Sequence, residues 1–356
     1  MRPWLACALA ATAALARAQD LDRDERVRRA VVRVEAVDRS LLKAREMIAV
    51  NAPVEELRKI TIRQPYVLCT AGVVISPDGE IVTPALHPNA PLDVTVTFFD
   101  GTRSPAELVG TDPPSNLALI RAARATAWFL RFAPRPPGER QPVDVVGHGL
   151  LPAIGSRGVV ARAQVGLSMR DLYGVNGGRP IDLGSVFAIS APVCRAAPGS
   201  ACVDAEGRLL GVVFGGLPPR TRLEGGPDGD PRLETTELSF AIPSARVGRI
   251  VAELRERGFV TRAYFGVHFR RVSDGMRAHF DLPPSAAAVV AVDETGPAAR
   301  AGLAANDVIL AVDGRSFADL NQLDEALSDR TPGRETPLTV LREGKTLTLS
   351  ATPAER

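Results

Sequence analysis

Hydrophobic and polar residues alternate in short runs over most of the first 240 residues, and turn residues separate the runs. The stretch YVLCTAGVVISPDGEIVTPA, residues 66–85, predicts two strands joined by a tight turn at residues 77–79. Short strands at this spacing are typical of an antiparallel barrel or sandwich. The pattern recurs in DVTVTFFDG, AELVG, LALIRA, VDVVGHG, RGVVARAQV, SVFAIS and RLLGVVFGG.

Other stretches depart from this pattern. Residues 215–234 combine proline, glycine and charge, which predicts a long exposed loop. Residues 242–258 change to a helical period, with Ser244 placed to cap a helix and Gly258 placed to end it. Near the start of the chain, the run RAVVRVEAV predicts a strand, and residues 40–50 have the spacing of a helix.

Residues 264–353 form a second predicted unit of mixed α+β character. It contains a helical run, LNQLDEALSDR, and two closing strands, PLTVLREG and KTLTLSAT. The chain has 356 residues, which is too long for one ordinary domain. We therefore expect two domains, with the helix at residues 242–258 between them.

The first residues predict an export signal. Arg2 precedes an uncharged apolar run, and Ala16 and Ala18 form a small-x-small cleavage pattern, so residues 1–18 are interpreted as a signal peptide. The apolar run of about 12 residues is too short to cross a bilayer as a helix. We expect a periplasmic or secreted protein without a membrane span.

Charge and metal-binding residue types exclude several functions. The 43 basic residues nearly balance the 41 acidic residues, giving a net charge of +2, so nucleic acid is not an expected partner. The four histidines are scattered without metal-ligand spacing, and no phosphate-loop motif is present. The sequence therefore predicts no metal site and no cofactor.

Three cysteines remain after removal of the signal peptide, namely Cys69, Cys194 and Cys202. Because their number is odd, at most one internal disulfide can form. Cys194 and Cys202 flank one loop and could be joined, although all three cysteines could equally be small buried apolar residues.

The order of these features resembles the HtrA (DegP-like) proteins. The motifs that carry the resemblance are GVVISPDGEIVT, VGTDPPSNLALIRA, EGRLLGVVFGG, SFAIPSARVGRIVAELRERG and GPAARAGLAANDVILAVDGRSF. The resemblance implies a mainly β fold, with a trypsin-like double β-barrel followed by a small α+β PDZ domain. It divides the chain into a signal peptide (1–18), a protease-like domain (25–243), a connecting helix (244–260) and a PDZ domain (261–353).

The same alignment assigns the positions of a Ser-His-Asp triad. The family histidine falls on Leu86 and the family aspartate on Asn116. Leucine cannot act as a base, and the asparagine amide cannot stabilise an imidazolium as a carboxylate does. His87 follows Leu86 and is a weak substitute, because neighbouring residues of an extended chain point in opposite directions.

The nucleophile of the family falls on Pro198, within the run AAPGSACVDAEG. Proline has neither a hydroxyl to attack with nor a backbone N–H to stabilise an oxyanion. Ser200 lies two residues further on, where the chain should enter a strand, and is a weak substitute for the nucleophile.

The PDZ-like unit predicts a peptide-binding groove. In such domains a peptide adds as a strand to the sheet edge, and backbone N–H groups hold its terminal carboxylate. By resemblance, this loop falls on Tyr264, Phe265, Gly266 and Val267. Leu323 and Leu327 lie four residues apart on the facing helix, where they would line the groove or belong to the core.

Three functions remain open from the sequence. The first is an exported pseudoprotease that binds peptides or unfolded proteins with apolar C-termini. The second is an active HtrA-like serine endopeptidase that uses relocated residues such as His87 and Ser200. The third is a non-catalytic regulatory subunit of related proteases. Homo-oligomers are compatible with all three.

Overall fold

The computed structural model describes residues 22–38, 67–86, 92–148, 154–168, 182–190, 198–225, 231–283, 285–317 and 320–355. The chain forms two compact units. The first comprises residues 1–165 and 186–259, and the second comprises residues 166–185 and 260–356. The predicted helix at residues 40–50 lies outside the described residues.

The first described element of the first unit is helix α1 (Arg23–Arg29), which the sequence did not predict. A closed barrel of six strands follows it. Around the barrel the strands follow the order β1-β2-β3-β6-β5-β4, all antiparallel. Alternate side chains such as Val32, Val34 and Ile120 fill its interior. The strands are β1 (Val31–Asp38), β2 (Val67–Val74), β3 (Glu80–Thr83), β4 (Leu92–Thr97), β5 (Arg103–Asp112) and β6 (Leu117–Ala122).

A second closed barrel follows in the same unit, with the strand order β10-β11-β12-β9-β8-β7. Strand β10 pairs with both β11 and β7. The buried residues Val145, Phe187 and Leu210 belong to its core. The strands are β7 (Pro142–Gly147), β8 (Ile154–Ser168), β9 (Asp182–Ser190), β10 (Ala201–Val203), β11 (Leu209–Gly225) and β12 (Pro231–Pro243).

The prediction of a long loop at residues 215–234 was wrong. Strands β11 and β12 continue as an antiparallel pair out to Gly225 and Pro231. The ladder shifts register between Leu217 and Arg220, where two prolines follow one another. Prolines lack the N–H that a ladder needs, so an irregularity in the pairing accommodates them while the hairpin continues.

Helix α2 (Ser244–Arg257) closes the first unit, as the helical period predicted. Its buried residues include Val247, Ile250 and Leu254. Gly258 ends the helix with φ of +80°, as expected. Ser244 is not the cap, however, because it is the first helical residue; Pro243 occupies the cap position without a side-chain hydrogen bond.

A carboxylate joins helix α2 to the first barrel. Arg255 donates to both oxygens of Glu80, with Nε to Oε1 at 3.0 Å and Nη2 to Oε2 at 2.7 Å. Arg121 Nη2 donates to the same Oε1 at 3.0 Å. The hydrogen bonds from Arg255, together with Arg121, hold the pKa of Glu80 below its usual value despite burial.

The second unit contains a five-stranded antiparallel sheet in the order β14-β15-β16-β17-β18, and a separate pair, β13-β19. Its core includes Ile309, Leu338 and Val340. The predicted closing strands and the predicted helix are all present. Its elements are β13 (Ala263–Tyr264), β14 (Val267–Arg271), α3 (Asp274–His279), β15 (Ala287–Val292), α4 (Pro297–Arg300), β16 (Val308–Val312), α5 (Leu320–Ser328), β17 (Thr336–Arg342), β18 (Lys345–Ala351) and β19 (Ala354–Glu355).

Candidate functional site

The loop that contains Pro198 is fixed between the two barrels of the first unit. The carbonyl of Pro198 accepts a hydrogen bond from the Ala71 N–H at 3.0 Å, and a second from the Thr70 hydroxyl. The N–H of Gly199 donates to the carbonyl of Val213 at 2.6 Å. The loop is thus bonded to β2 on one side and to β11 on the other.

Gly199 is required by this close approach. Its φ is +89°, and a Cβ built there would lie 1.9 Å from the Ala71 carbonyl oxygen. The same Cβ would lie 2.8 Å from Cδ of Pro84, which precedes Leu86 by two residues. The structure therefore brings the segment that leads to Leu86 against the loop that contains Pro198.

Leu86 belongs to the interior of the first barrel. Its side chain is 2% exposed and packs in the same cluster as Val34 and Ile81. Its carbonyl accepts a hydrogen bond from the Thr111 hydroxyl at 3.0 Å, which joins it to strand β5. A buried leucine has a packing role at this position. His87, the weak substitute, lies outside the described residues.

Asn116 ends a short 3₁₀ turn, Pro113–Ser115, that follows strand β5. Its φ of 54° and ψ of 40° are left-handed, a conformation that asparagine adopts more readily than most residues. The N–H of Asn116 donates to the carbonyl of Pro113 at 3.0 Å. Asp112 is buried in this turn and accepts a hydrogen bond from the Ser115 hydroxyl.

Ser200 is fully buried, with 0% of its surface exposed. Its carbonyl accepts a hydrogen bond from the N–H of Val213 at 2.9 Å. A catalytic hydroxyl must contact the substrate carbonyl, so this burial weighs against Ser200 as a nucleophile.

Two threonines that support the loop were missed by the sequence reasoning. Thr70 bonds the carbonyl of Pro198, and the Thr83 hydroxyl donates to the carbonyl of Ala71 at 3.0 Å. Both threonines are buried. The available signal was a polar residue within an otherwise apolar strand, since buried hydroxyls need hydrogen-bond partners.

In the second unit, the predicted peptide loop lies between β13 and β14. Gly266 has φ of +71°, and its carbonyl accepts from the Asp293 N–H at 2.8 Å. The carbonyl of Phe265 accepts from the Ala298 N–H at 2.8 Å. The loop backbone is therefore held from one side by two carbonyl hydrogen bonds.

Asp293 also connects two side chains next to this loop. The Tyr264 hydroxyl donates to its carboxylate, and His268 Nε2 lies 3.0 Å from Asp293 Oδ1. The hydrogen bond from Tyr264, followed by that from His268, lowers the pKa of Asp293 below its usual value.

The sheet edge and the facing helix have different degrees of exposure. Strand β14, which begins at Val267, is at one end of the described sheet order, so one of its edges is open to an added strand. Leu323 and Leu327 are buried in the domain core together with Phe265. Their packing fits the core alternative; a role of these residues in peptide binding remains a prediction.

The cysteines and the possible metal-binding residues lie partly within the described part of the chain. Cys202 is buried in strand β10 and Cys69 is exposed, but Cys194 lies outside the described residues, so the disulfide remains a prediction. Among the described residues, no group of three or more His, Cys, Asp or Glu side chains could hold a metal ion. No helix in that part of the chain is long and apolar enough to cross a membrane.

Comparisons with known proteins agree with this architecture. Residues 69–212 match the trypsin-like peptidase domain family, and residues 263–352 match the PDZ domain family. A solved structure, "HtrA-type protease AlgW with tripeptide", superposes with a TM-score of 0.65 at 22% identity, covering 94% of this chain and 98% of the other. The serine endoprotease from Yersinia pestis superposes with a TM-score of 0.57 at 22% identity, with the same coverage. The fold is therefore a trypsin-like double barrel followed by a PDZ domain.

Relatives with similar sequences match most of this chain. A "Probable periplasmic serine endoprotease DegP-like" of Brucella suis biovar 1 is 30% identical over 292 residues, which is 80% of this chain and 53% of the relative. A protein of the same description from Bartonella henselae is 29% identical over 280 residues, or 77% of this chain and 51% of the relative. The chain is similar in sequence and in domain order to the HtrA (DegP-like) proteins. It spans about half the length of these relatives.

Proposed function

We propose that this HtrA-like chain binds peptides through its PDZ domain and does not hydrolyse them at the aligned triad positions. The observation that carries the proposal is Pro198, which the alignment assigns to the nucleophile position and which lies in a loop bonded to both barrels. A proline supplies neither the attacking hydroxyl nor the oxyanion N–H at that position. Gly199 has an N–H, but it donates to Val213 within the protein.

The two partner positions support the same proposal. Leu86 is buried in the barrel core and has no group that accepts a proton. Asn116 is neutral, so a base beside it would lose the electrostatic support that an aspartate gives to an imidazolium. Three residues with separate roles in a triad thus lack the chemistry that each role needs.

The second candidate is an active serine endopeptidase, which the descriptions of the relatives favour. Both sequence relatives are described as serine endoproteases. Activity in this chain would need a nucleophile and a base other than the aligned residues. Ser200 would have to leave its buried position before it could reach a substrate.

A restoration series separates these two candidates. We expect Pro198→Ser alone to remain inactive on unfolded casein, because the base and its orienting carboxylate are also absent. Robust cleavage by this single variant would show that another histidine, such as His87, serves as the base. The matched control is Ser200→Ala: we expect no cleavage by the parent chain or by this variant, and cleavage by the parent that is lost in Ser200→Ala would support the second candidate.

Peptide binding is expected to use the open edge of β14 and the loop at Gly266. The full chain should bind a peptide with a free apolar C-terminus about tenfold or more tightly than the same peptide with an amidated end, measured by calorimetry. Equal affinities would show that the loop does not hold a carboxylate. Gly266→Val is a poor test, because a valine at φ of +71° would strain folding as well as binding.

Localisation and assembly complete the proposal. The relatives are described as periplasmic, and the leader at residues 1–18 has the pattern of a signal peptide, so we propose export to the periplasm. A regulatory subunit that assembles with related proteases would retain the same PDZ domain. Co-purification with a related active protease, dependent on this chain, would favour that alternative.

A further inference from the structure

The first unit contains a cavity of about 400 Å³ that lies apart from the Pro198 loop. Three segments that are distant in sequence form it: helix α1, residues 127–131, and the turn at residues 206–208. Its volume is within the range of about 300–1,000 Å³ that is typical of small-ligand pockets. The cavity suits a small molecule or a short peptide segment rather than a folded domain.

Two of the four arginines that line the cavity are neutralised by neighbouring acids. Arg23 bonds Asp24 at 2.6 Å and also bonds Asp144. Arg208 bonds Asp204 at 2.7 Å and Glu206 at 2.6 Å. The positive charges of Arg23 and Arg208 are therefore neutralised by carboxylates of the protein itself.

Among the described residues, the other two arginines have no acidic partner. Arg26 on helix α1 and Arg131 both line the cavity and both are exposed. Within the described part of the chain, no carboxylate forms a salt bridge with either guanidinium group. Glu206 is the acidic residue in the cavity lining, and it bonds Arg208. The guanidinium groups of Arg26 and Arg131 are therefore available to a bound anion.

An apolar wall lies beside these charges. Val27 is buried below the cavity surface, and Trp128 lines the cavity. The Arg29 guanidinium lies 4.8 Å from the centre of the Trp128 ring. The ring of Phe99 packs edge to face against the same indole, with ring centres 6.4 Å apart. These contacts hold the indole in place, which provides a preformed aromatic surface.

We propose that this cavity binds an acidic peptide segment, with the carboxylate of Asp or Glu between Arg26 and Arg131 and a neighbouring apolar side chain on Trp128. Guanidinium groups match carboxylates through paired N–H donors. The indole provides the apolar contact that a bare inorganic anion would leave unused. The site requires neither the PDZ domain nor peptide hydrolysis, so it stands apart from the proposed function.

Trp128 provides a direct signal for this binding. The chain contains two tryptophans, Trp4 and Trp128, and Trp4 lies in the predicted signal peptide, so Trp128 is the single tryptophan of the mature protein. The probe is the blocked peptide acetyl-Gly-Asp-Phe-Gly-amide, whose amidated end removes the carboxylate that a PDZ loop would hold. We expect a saturable change in Trp128 emission, with a dissociation constant on the order of 100 µM.

Charge variants test the assignment of the two arginines. Arg26→Gln and Arg131→Gln should each weaken binding by about five- to tenfold, and the affinity should fall with added salt. Arg135→Gln is the matched control, because Arg135 is exposed, lies four residues from Arg131 and does not line the cavity. Melting temperatures of all three variants should match that of the parent chain, since the side chains are exposed.

Three results would overturn the proposal. The first is an Asn-for-Asp version of the peptide that binds as tightly as the original. The second is inorganic phosphate that binds as tightly as the peptide, which would indicate a simple anion site. The third is the absence of a saturable response up to about 5 mM peptide, well above the expected dissociation constant.

Discussion

Replacement of Glu80 by glutamine should loosen helix α2 from the first barrel. The Glu80 side chain is only 7% exposed and accepts three hydrogen bonds, two from Arg255 and one from Arg121. Hydrogen bonds to charged groups contribute about 1.5–3 kcal/mol each when buried. Both arginines are half exposed, which screens the charge interaction, so we expect a total loss of about 1–2 kcal/mol.

The loss should depend on pH in a defined direction. The pKa of Glu80 is lowered in the folded state, so its contribution is complete above the ordinary value of 4.5 and disappears as pH falls through the folded value. The difference between the parent chain and Glu80→Gln should therefore be full at pH 7 and should shrink below pH 4.5.

Urea denaturation combined with amide hydrogen exchange of residues 244–257 measures this effect on the helix itself. Glu256→Gln is the matched control, because Glu256 is an exposed carboxylate on the same helix. It should change the free energy of unfolding by less than about 0.5 kcal/mol. Equal exchange rates in the parent and Glu80→Gln at pH 7, or a difference that grows on acidification, would show that the ionised Glu80 does not hold helix α2 to the barrel.

Two further substitutions test the packing around the candidate site. Gly199→Ala should destabilise the first unit by about 3 kcal/mol or more, because its Cβ would collide with the Ala71 carbonyl. The control Gly101→Ala should cost about 1 kcal/mol, because Gly101 has a similar φ of +78° but open space around it. Equal losses of stability in thermal unfolding would contradict the close approach at Gly199. Leu86→Ala should cost about 2–5 kcal/mol by the same measurement, since it removes a buried side chain, and a loss below about 1 kcal/mol would contradict its burial.

The sequence predicted most of the strands because alternation of side chains reports directly on a half-buried pleated surface. It failed at residues 215–234, where proline and glycine suggested a loop although the hairpin continues through a register shift. Ser244 was misplaced by one position, because proline can hold the cap backbone without a side-chain hydrogen bond. Local composition does not distinguish a loop from a paired strand at residues 215–234, because the partner strand decides whether the hairpin forms.

Some features of the candidate sites could be predicted from the sequence, and others could not. The identity of Pro198 could be taken from an ungapped alignment, but its bonds to Thr70 and Ala71 depend on residues more than 120 positions away. The cavity beside Trp128 was not predicted, because three distant segments form it and no short motif carries it. Burial of Leu323 likewise depends on the core around it rather than on helical spacing.

We expect that the chain does not cleave peptides with a serine nucleophile. The most direct test of this expectation is incubation of the purified protein with a fluorophosphonate probe and unfolded casein, followed by intact-mass analysis of the protein and electrophoresis of the casein. An active trypsin-like protease serves as the positive control. We expect no covalent adduct and intact casein, because position 198 is proline and Ser200 is fully buried. A stoichiometric adduct that disappears in Ser200→Ala, together with casein cleavage, would contradict this expectation.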